Sequence, residues 1–153
     1  PNDILVTSNT ISPVANAFFA SLIYNGRKAL FSDRKVSDLY DPSIKIKKNS
    51  LDKHHIFPKE YLKKQGIELT QINQIANLTY LEYIDNIKIS DSEPKSYYTE
   101  IKSKYYSNKE LILENALKEH GIPEDFYEME YSVFLTERRK KIAMLIKEMY
   151  SNI

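Results

Sequence analysis

Apolar residues recur at helical spacing in the first third of the chain. This stretch begins after Ser12, has Pro13 in the first helical position and ends before Gly26. Serine is a favoured N-cap, proline suits the first helical turn, and glycine commonly follows the last one. The pattern therefore predicts an amphipathic N-terminal helix. Its apolar stripe consists of Val14, Phe18, Leu22 and Ile23.

The C-terminal third shows the same spacing more strongly. Residues 107–110, Ser-Asn-Lys-Glu, match a capping box that should open a helix ending at Gly121. Pro94 opens a segment that runs to about residue 106, and residues 132–150 form the longest predicted helix. The predicted buried side of that last helix is Phe134, Leu135, Ile142, Leu145, Ile146 and Met149.

Two shorter stretches have the character of strands. Residues 50–57 form an extended stretch that stops at Pro58, and residues 78–81 are rich in β-branched and aromatic side chains. Between them, residues 59–65 predict a short helix closed by Gly66, and residues 67–76 suit either a further helical turn or a loop. The predicted fold class is α+β, mainly α, with a small antiparallel hairpin flanked by N-terminal and C-terminal helices.

Composition indicates one folded domain. At 153 residues with 42% hydrophobic content, the chain is long enough to bury a core. It has no cysteine, which excludes disulfides and thiolate metal sites and fits a cytoplasmic protein. No apolar run is long enough to cross a membrane, so we expect no membrane partner. The chain starts at Pro1, so we interpret it as a domain excised from a longer protein.

The net charge of +1 indicates no particular partner, but the lysines are clustered. One group flanks a histidine pair, and another cluster is Arg138-Arg139-Lys140-Lys141. A polyanion could use such fields, although a solvated charged face is the more common explanation of any single cluster. The flanking group consists of Lys45, Lys47, Lys48, Lys53, Lys59, Lys63 and Lys64.

The histidine pair, His54-His55, is the strongest chemical signal. Because residues two apart share one face of a strand, Asp52 and His54 should point together and His55 the other way. A carboxylate and an imidazole make a plausible start to a divalent metal site. His55 would then be free to accept a proton from water near neutral pH.

Two asparagines follow, Asn77 and Asn86. An amide can bridge backbone groups across a loop, and its oxygen can bind a metal. Each residue also has a plain structural interpretation: the histidines as hydrogen-bonded structure, Asn77 as a turn and Asn86 as a helix cap. For Asp52, capping or pairing with a lysine is about as good an explanation as metal binding.

Several segments together carry a family resemblance. They are residues 54–62 (His-His-Ile-Phe-Pro-Lys-Glu-Tyr-Leu), residues 75–79 (Ile-Ala-Asn-Leu-Thr), and Asn86-x-x-Ile89-Ser90 followed by Pro94 and Tyr97-Tyr98. This pattern resembles the HNH, or ββα-metal, nuclease motif, and more narrowly the C-terminal domain of GmrSD-type modification-dependent restriction enzymes. The resemblance implies a single HNH domain over residues 1–153, with its core at about 51–98, a helical lead-in at 1–50 and a helical part at 107–153. Residues 134–138 are also similar to that subfamily.

The resemblance implies a role for each site residue. His54 and Asn86 fall on metal ligands, His55 on the general base, and Asn77 on the asparagine that braces the loop between the strands. Asp52 has no secure equivalent, and its ligand role rests on the strand argument alone. One divalent metal ion is implied, with Mg²⁺ or Mn²⁺ favoured by the oxygen ligands and Zn²⁺ or Ni²⁺ admitted by the imidazole.

The implied function is metal-dependent hydrolysis of DNA phosphodiester bonds. The domain would be the cleavage module of a restriction or anti-phage defence protein, with a separate N-terminal NTPase and recognition domain as its partner in the full-length protein. Lys59 and Lys88 are the predicted contacts to nucleic acid. The alternatives are a non-catalytic nucleic-acid-binding module and an RNA-directed nuclease or toxin on the same scaffold.

Two further expectations concern residues outside this motif. His120, just before Gly121, should sit at a helix end and interact with the helix dipole. Four tyrosines suit packing better than a nucleic-acid groove: Tyr97, Tyr98, Tyr105 and Tyr106.

Overall fold

The computed structural model of the protein describes residues 12–41, 43, 51–82, 89 and 91–153. This part of the chain is mixed α+β and mainly helical, as predicted. No helix within it is both long and apolar enough to span a membrane. In chain order its elements are α1 (Pro13–Tyr24), α2 (Val36–Tyr40), β1 (Leu51–His55), α3 (Lys59–Lys64), α4 (Leu69–Ile72), β2 (Leu78–Glu82), α5 (Pro94–Tyr105), α6 (Glu110–Glu119) and α7 (Tyr131–Ser151), with 3₁₀ turns at Ile75–Asn77 and Phe126–Glu128.

The predicted N-terminal helix is confirmed as α1. The Ser12 hydroxyl accepts a hydrogen bond from the Ala15 amide at 3.2 Å, and Pro13 occupies the first turn. Gly26 follows the helix with φ of 62°, a conformation that a side chain would disfavour. The chain therefore leaves α1 sharply enough to return toward the sheet, where the Leu30 amide donates to the Tyr80 carbonyl at 2.9 Å.

The two predicted strands pair antiparallel, with His54 opposite Thr79 and His55 opposite Leu78. β1 is shorter than the predicted residues 50–57 because it ends at His55. The Ile56 amide still donates to the Asn77 carbonyl at 2.9 Å, but the chain then turns into α3. The excursion between the strands contains α3, as predicted, and then α4 and a 3₁₀ turn.

The predicted capping box at residues 107–110 is wrong. Helix α6 begins at Glu110, and its N-cap, Lys109, makes no side-chain cap hydrogen bond. Asn108 has φ of 60°, in the left-handed region, so Ser107 does not reach the helix amides. Instead the Lys109 amide donates to the Tyr106 carbonyl at 2.8 Å, which closes a turn before α6.

The longest predicted helix is confirmed as α7, and it packs its apolar stripe against the rest of the domain. The Phe134 ring lies 4.6 Å from the Phe57 ring, centroid to centroid, just beyond the histidine pair. Ile142 is fully buried in a second cluster with Phe18 and Leu22 of α1. α7 therefore joins the N-terminal helix to the hairpin.

Arg138 is fully buried, so neither a solvated face nor a polyanion contact describes it. Its guanidinium donates to the carbonyls of Ala76 and Leu78 at 2.7 Å each, and to that of His120 at 3.2 Å. Its Cζ also lies 5.5 Å from the centroid of the Phe18 ring. Burial lowers the pKa of Arg138 to about 9, and this residue anchors α7 to the strand β2.

His120 does sit at the end of α6, but it is buried rather than a charged partner of the helix dipole. Burial, with smaller contributions from Arg138 and Arg27, lowers its pKa to about 4. Its Nδ1 lies 2.6 Å from the Thr79 hydroxyl, and its Nε2 lies 2.8 Å from the Lys28 carbonyl. The neutral ring therefore bridges β2 and the segment after α1.

Replacing Arg138 with lysine should lower the free energy of unfolding by about 2–4 kcal/mol. An ammonium keeps the charge but cannot span three carbonyls as the planar guanidinium does. Arg139, which is half-buried and bonded to the Gln74 side chain, offers a matched control. Urea unfolding of Arg138→Lys and Arg139→Lys measures both effects, and equal losses in the two variants would contradict the anchoring role.

Candidate metal and catalytic site

The two histidines at the end of β1 occupy different environments. The Nε2 atom of His54 is buried and has no hydrogen-bond partner among the described residues. Burial, and next the nearby His55, lower the pKa of His54 to about 4. The ring is therefore neutral at pH 7, and a neutral imidazole has one nitrogen with a lone pair that can bind a metal ion.

His55, on the other face of β1, is half-buried and held by a different contact. Its Nε2 lies 2.9 Å from the amide oxygen of Asn73. Asn73 follows α4, and its backbone amide donates to the Leu69 carbonyl at 2.9 Å. Sequence reasoning missed this residue. The one feature of the sequence that could have pointed to Asn73 is its position four residues before Asn77, a spacing of about one helical turn.

Asn77 is fully buried, and its side chain joins the two ends of the excursion between the strands. Its Oδ1 accepts from the Phe57 amide at 2.8 Å, while its Nδ2 donates to the carbonyls of Phe57 at 3.1 Å and Ile72 at 3.0 Å. The side chain of Asn77 thus uses both its oxygen and its nitrogen to bond to the backbone of Phe57, two residues after the end of β1. The geometry is that of a loop brace, which is the role the resemblance implies for Asn77.

The backbone immediately after the histidines is fully hydrogen-bonded. Ile56 donates to the Asn77 carbonyl, and its own carbonyl accepts from the Tyr97 hydroxyl at 2.6 Å. Tyr97 is buried, which raises its pKa well above the ordinary value and keeps the hydroxyl protonated. Tyr97 and Tyr98 are thus packing residues, as predicted, whereas Tyr105 is exposed and Tyr106 half-buried.

The remaining predicted ligands are placed only in part. Asp52 is exposed on the same face of β1 as His54, as the strand argument predicts. Asn86 and Lys88 lie outside the described residues. Within the described part of the chain, no three His, Cys, Asp or Glu side chains come close enough to hold a metal.

His54 nevertheless fits the chemistry of a metal ligand. Metal binding requires a deprotonated imidazole, and this ring already has that form, with one nitrogen that has no partner in the part of the chain that the structure describes. An exposed carboxylate at Asp52 adds an oxygen donor on the same face. These two residues could supply two ligands of the kinds that a mixed oxygen and nitrogen site uses.

The lysines near the histidines differ in their pairing. Lys63 lies 2.8 Å from Glu60, and Lys64 lies 3.5 Å from Asp91. Lys53 is exposed and Lys59 half-buried, and neither has a carboxylate partner among the residues that the structure describes. Among the lysines that the structure describes near the site, the two without a carboxylate partner therefore lie one residue before the histidine pair and four residues after it.

Comparison with known proteins identifies a relative of this chain but no family. No family model matches the chain, and no solved structure matches it. The chain is 34% identical over 112 residues to the uncharacterized protein MJ0686 of Methanocaldococcus jannaschii, covering 69% of this chain and 19% of that protein. The chain thus spans about a fifth of the length of the curated relative it matches.

Replacing Asn77 with alanine should lower the free energy of unfolding by about 2–4 kcal/mol, because it leaves buried amide and carbonyl groups of the loop without partners. Asn115 is exposed on α6 and provides the matched control, for which we expect a change within about 0.5 kcal/mol. Urea unfolding of Asn77→Ala and Asn115→Ala tests this difference. A loss below about 1 kcal/mol in Asn77→Ala would mean that water replaces the lost bonds.

Proposed function

We propose that this domain is a metal-dependent endonuclease of the HNH, or ββα-metal, type. One observation carries the proposal: adjacent histidines at a strand end differ in their contacts. Among the described residues the buried Nε2 of His54 has no hydrogen-bond partner, whereas the His55 ring contacts the Asn73 amide. A purely structural pair would be expected to satisfy both rings. The bracing geometry of Asn77 supports the same interpretation.

In this proposal His55 is the general base. It accepts the proton of a water molecule that attacks the phosphorus of a phosphodiester. Catalysis of this kind requires a ring held in one orientation. The contact to Asn73 and the fully bonded backbone at Ile56 and Phe57 both restrict the motion of the ring.

His54 and Asn86 would hold one divalent metal ion, with Asp52 as the further candidate ligand. Such an ion, when bound, neutralises phosphate charge and stabilises the departing oxygen. The neutral state of His54 supports its role, because no proton has to leave before the nitrogen binds. Mg²⁺ and Mn²⁺ are favoured, and the imidazole also admits Zn²⁺ and Ni²⁺.

DNA is the proposed substrate, and Lys53, Lys59 and Lys88 are the proposed contacts to its phosphates. Because the chain matches only part of its relative, the wider role is also a proposal. That role is the cleavage module of a cytoplasmic restriction or defence protein that carries its NTPase and recognition functions in another domain.

Replacing His55 with alanine should reduce metal-dependent cleavage by about 100- to 10,000-fold, because it removes the base and leaves the metal ligands in place. His54→Ala should instead weaken metal binding, as should Asn86→Ala. The measurements are plasmid nicking with each metal or with EDTA, and calorimetric titration of Mn²⁺. Undiminished cleavage by His55→Ala would reject its role, and unchanged metal affinity in His54→Ala would reject that ligand.

The same assay separates the alternatives when RNA is offered beside DNA. Cleavage of RNA alone would favour an RNA-directed nuclease or toxin. Binding without cleavage under all metal conditions would favour a non-catalytic module. Either result would overturn the proposal of a DNA endonuclease.

Replacing Lys59 with alanine should weaken DNA binding. The slope of log Kd against log salt concentration should fall by about one, which corresponds to the loss of one phosphate contact. Lys63→Ala is the matched control, since Lys63 lies on the same helix but is paired with Glu60. Fluorescence anisotropy over a range of salt concentrations measures both slopes. Equal slopes in the two variants would remove Lys59 from the interface.

A further inference from the structure

Asn73 is the residue that contacts the His55 ring, and the chemistry of that contact fixes where the ring proton lies. The partner of His55 Nε2 is the amide oxygen of Asn73, at 2.9 Å. A carbonyl oxygen only accepts hydrogen bonds, so Nε2 must be the nitrogen that carries the proton. In the neutral ring Nδ1 is then unprotonated.

We propose that Asn73 is a positioning residue that selects the Nε2–H tautomer of His55 and so presents Nδ1 as the proton acceptor. The role of Nδ1 toward water rests on the proposed nuclease function. The selection of the tautomer does not, because it follows from the contact between two side chains.

The Asn73 amide is well placed for this task because the two residues before it are tied to other parts of the structure. The Ile72 carbonyl accepts from the Asn77 side chain at 3.0 Å, and the Gln71 carbonyl accepts from the Tyr131 hydroxyl at 2.8 Å. Because the Asn77 side chain also bonds to the backbone of Phe57, this segment is connected to the residue two positions after β1. The two asparagines therefore have different roles: Asn77 holds the backbone after the histidine pair, and Asn73 holds the ring of His55.

A matched pair of substitutions tests the proposal. Asn73→Leu has a similar size but no acceptor, and Asn73→Asp restores an acceptor oxygen. Asn115→Leu, on the exposed face of α6, controls for the substitution itself. The chain has three histidines, so the ring nitrogens can be assigned with single histidine variants.

The first readout is the ¹⁵N spectrum of the metal-free protein at alkaline pH, where protonated and unprotonated ring nitrogens resonate far apart. We expect the Nε2–H form of His55 in the wild type, in Asn73→Asp and in Asn115→Leu, and a mixture of tautomers in Asn73→Leu. A dominant Nδ1–H form in the wild type would overturn the proposal. An unchanged spectrum in Asn73→Leu would do the same.

The second readout is cleavage. We expect kcat to fall by about 10- to 100-fold in Asn73→Leu with little change in KM, and to recover in Asn73→Asp. A tautomer change in Asn73→Leu, in a protein that cleaves no nucleic acid, would reject the nuclease proposal and leave the assignment of Asn73 intact. Cleavage by a wild-type protein that carries the Nδ1–H form of His55 would reject the role of Asn73 and leave the proposed nuclease function intact.

Discussion

The structure depends on one buried cation. The Arg138 guanidinium lies inside the domain and donates to three backbone carbonyls, those of Ala76, Leu78 and His120. Removing a charge from water is costly, so such a group is stable only when the protein replaces its hydration. Here three peptide oxygens do so for its two terminal nitrogens, and within the described part of the chain no carboxylate contacts it. Helix α7 is thereby tied to the hairpin.

This tie matters because a hairpin of two five-residue strands is marginal by itself. Two carbonyls that Arg138 holds belong to the residues on either side of Asn77. Asn77 in turn holds both polar backbone groups of Phe57, two residues beyond His55. The position of the histidine pair is therefore set by a sequence of hydrogen bonds that starts in the C-terminal helix, far along the chain.

Local signals explain what could be predicted from sequence. Ser12 and Pro13 cap α1 through groups next to them in the chain. The extended stretch at residues 50–57 and the β-branched and aromatic residues at 78–81 predict the two strands of the hairpin. Asn73 and Arg138 act on groups 18 to 62 residues away, so local pattern carries little sign of them. Arg138 does lie four residues after Phe134 and four before Ile142, on the buried stripe. The run of charge that it forms with Arg139, Lys140 and Lys141, however, is typical of a solvent-exposed surface.

The side chains that build this framework recognise peptide groups rather than other side chains. Asn77 bonds to the backbone of Phe57, and Arg138 to that of His120, whatever side chains those positions carry. The contacted positions can therefore change with the packing around them, while the two contacting residues cannot. Transplanting this arrangement into another scaffold would require copying a backbone path and two side chains, and the surrounding core could be chosen anew.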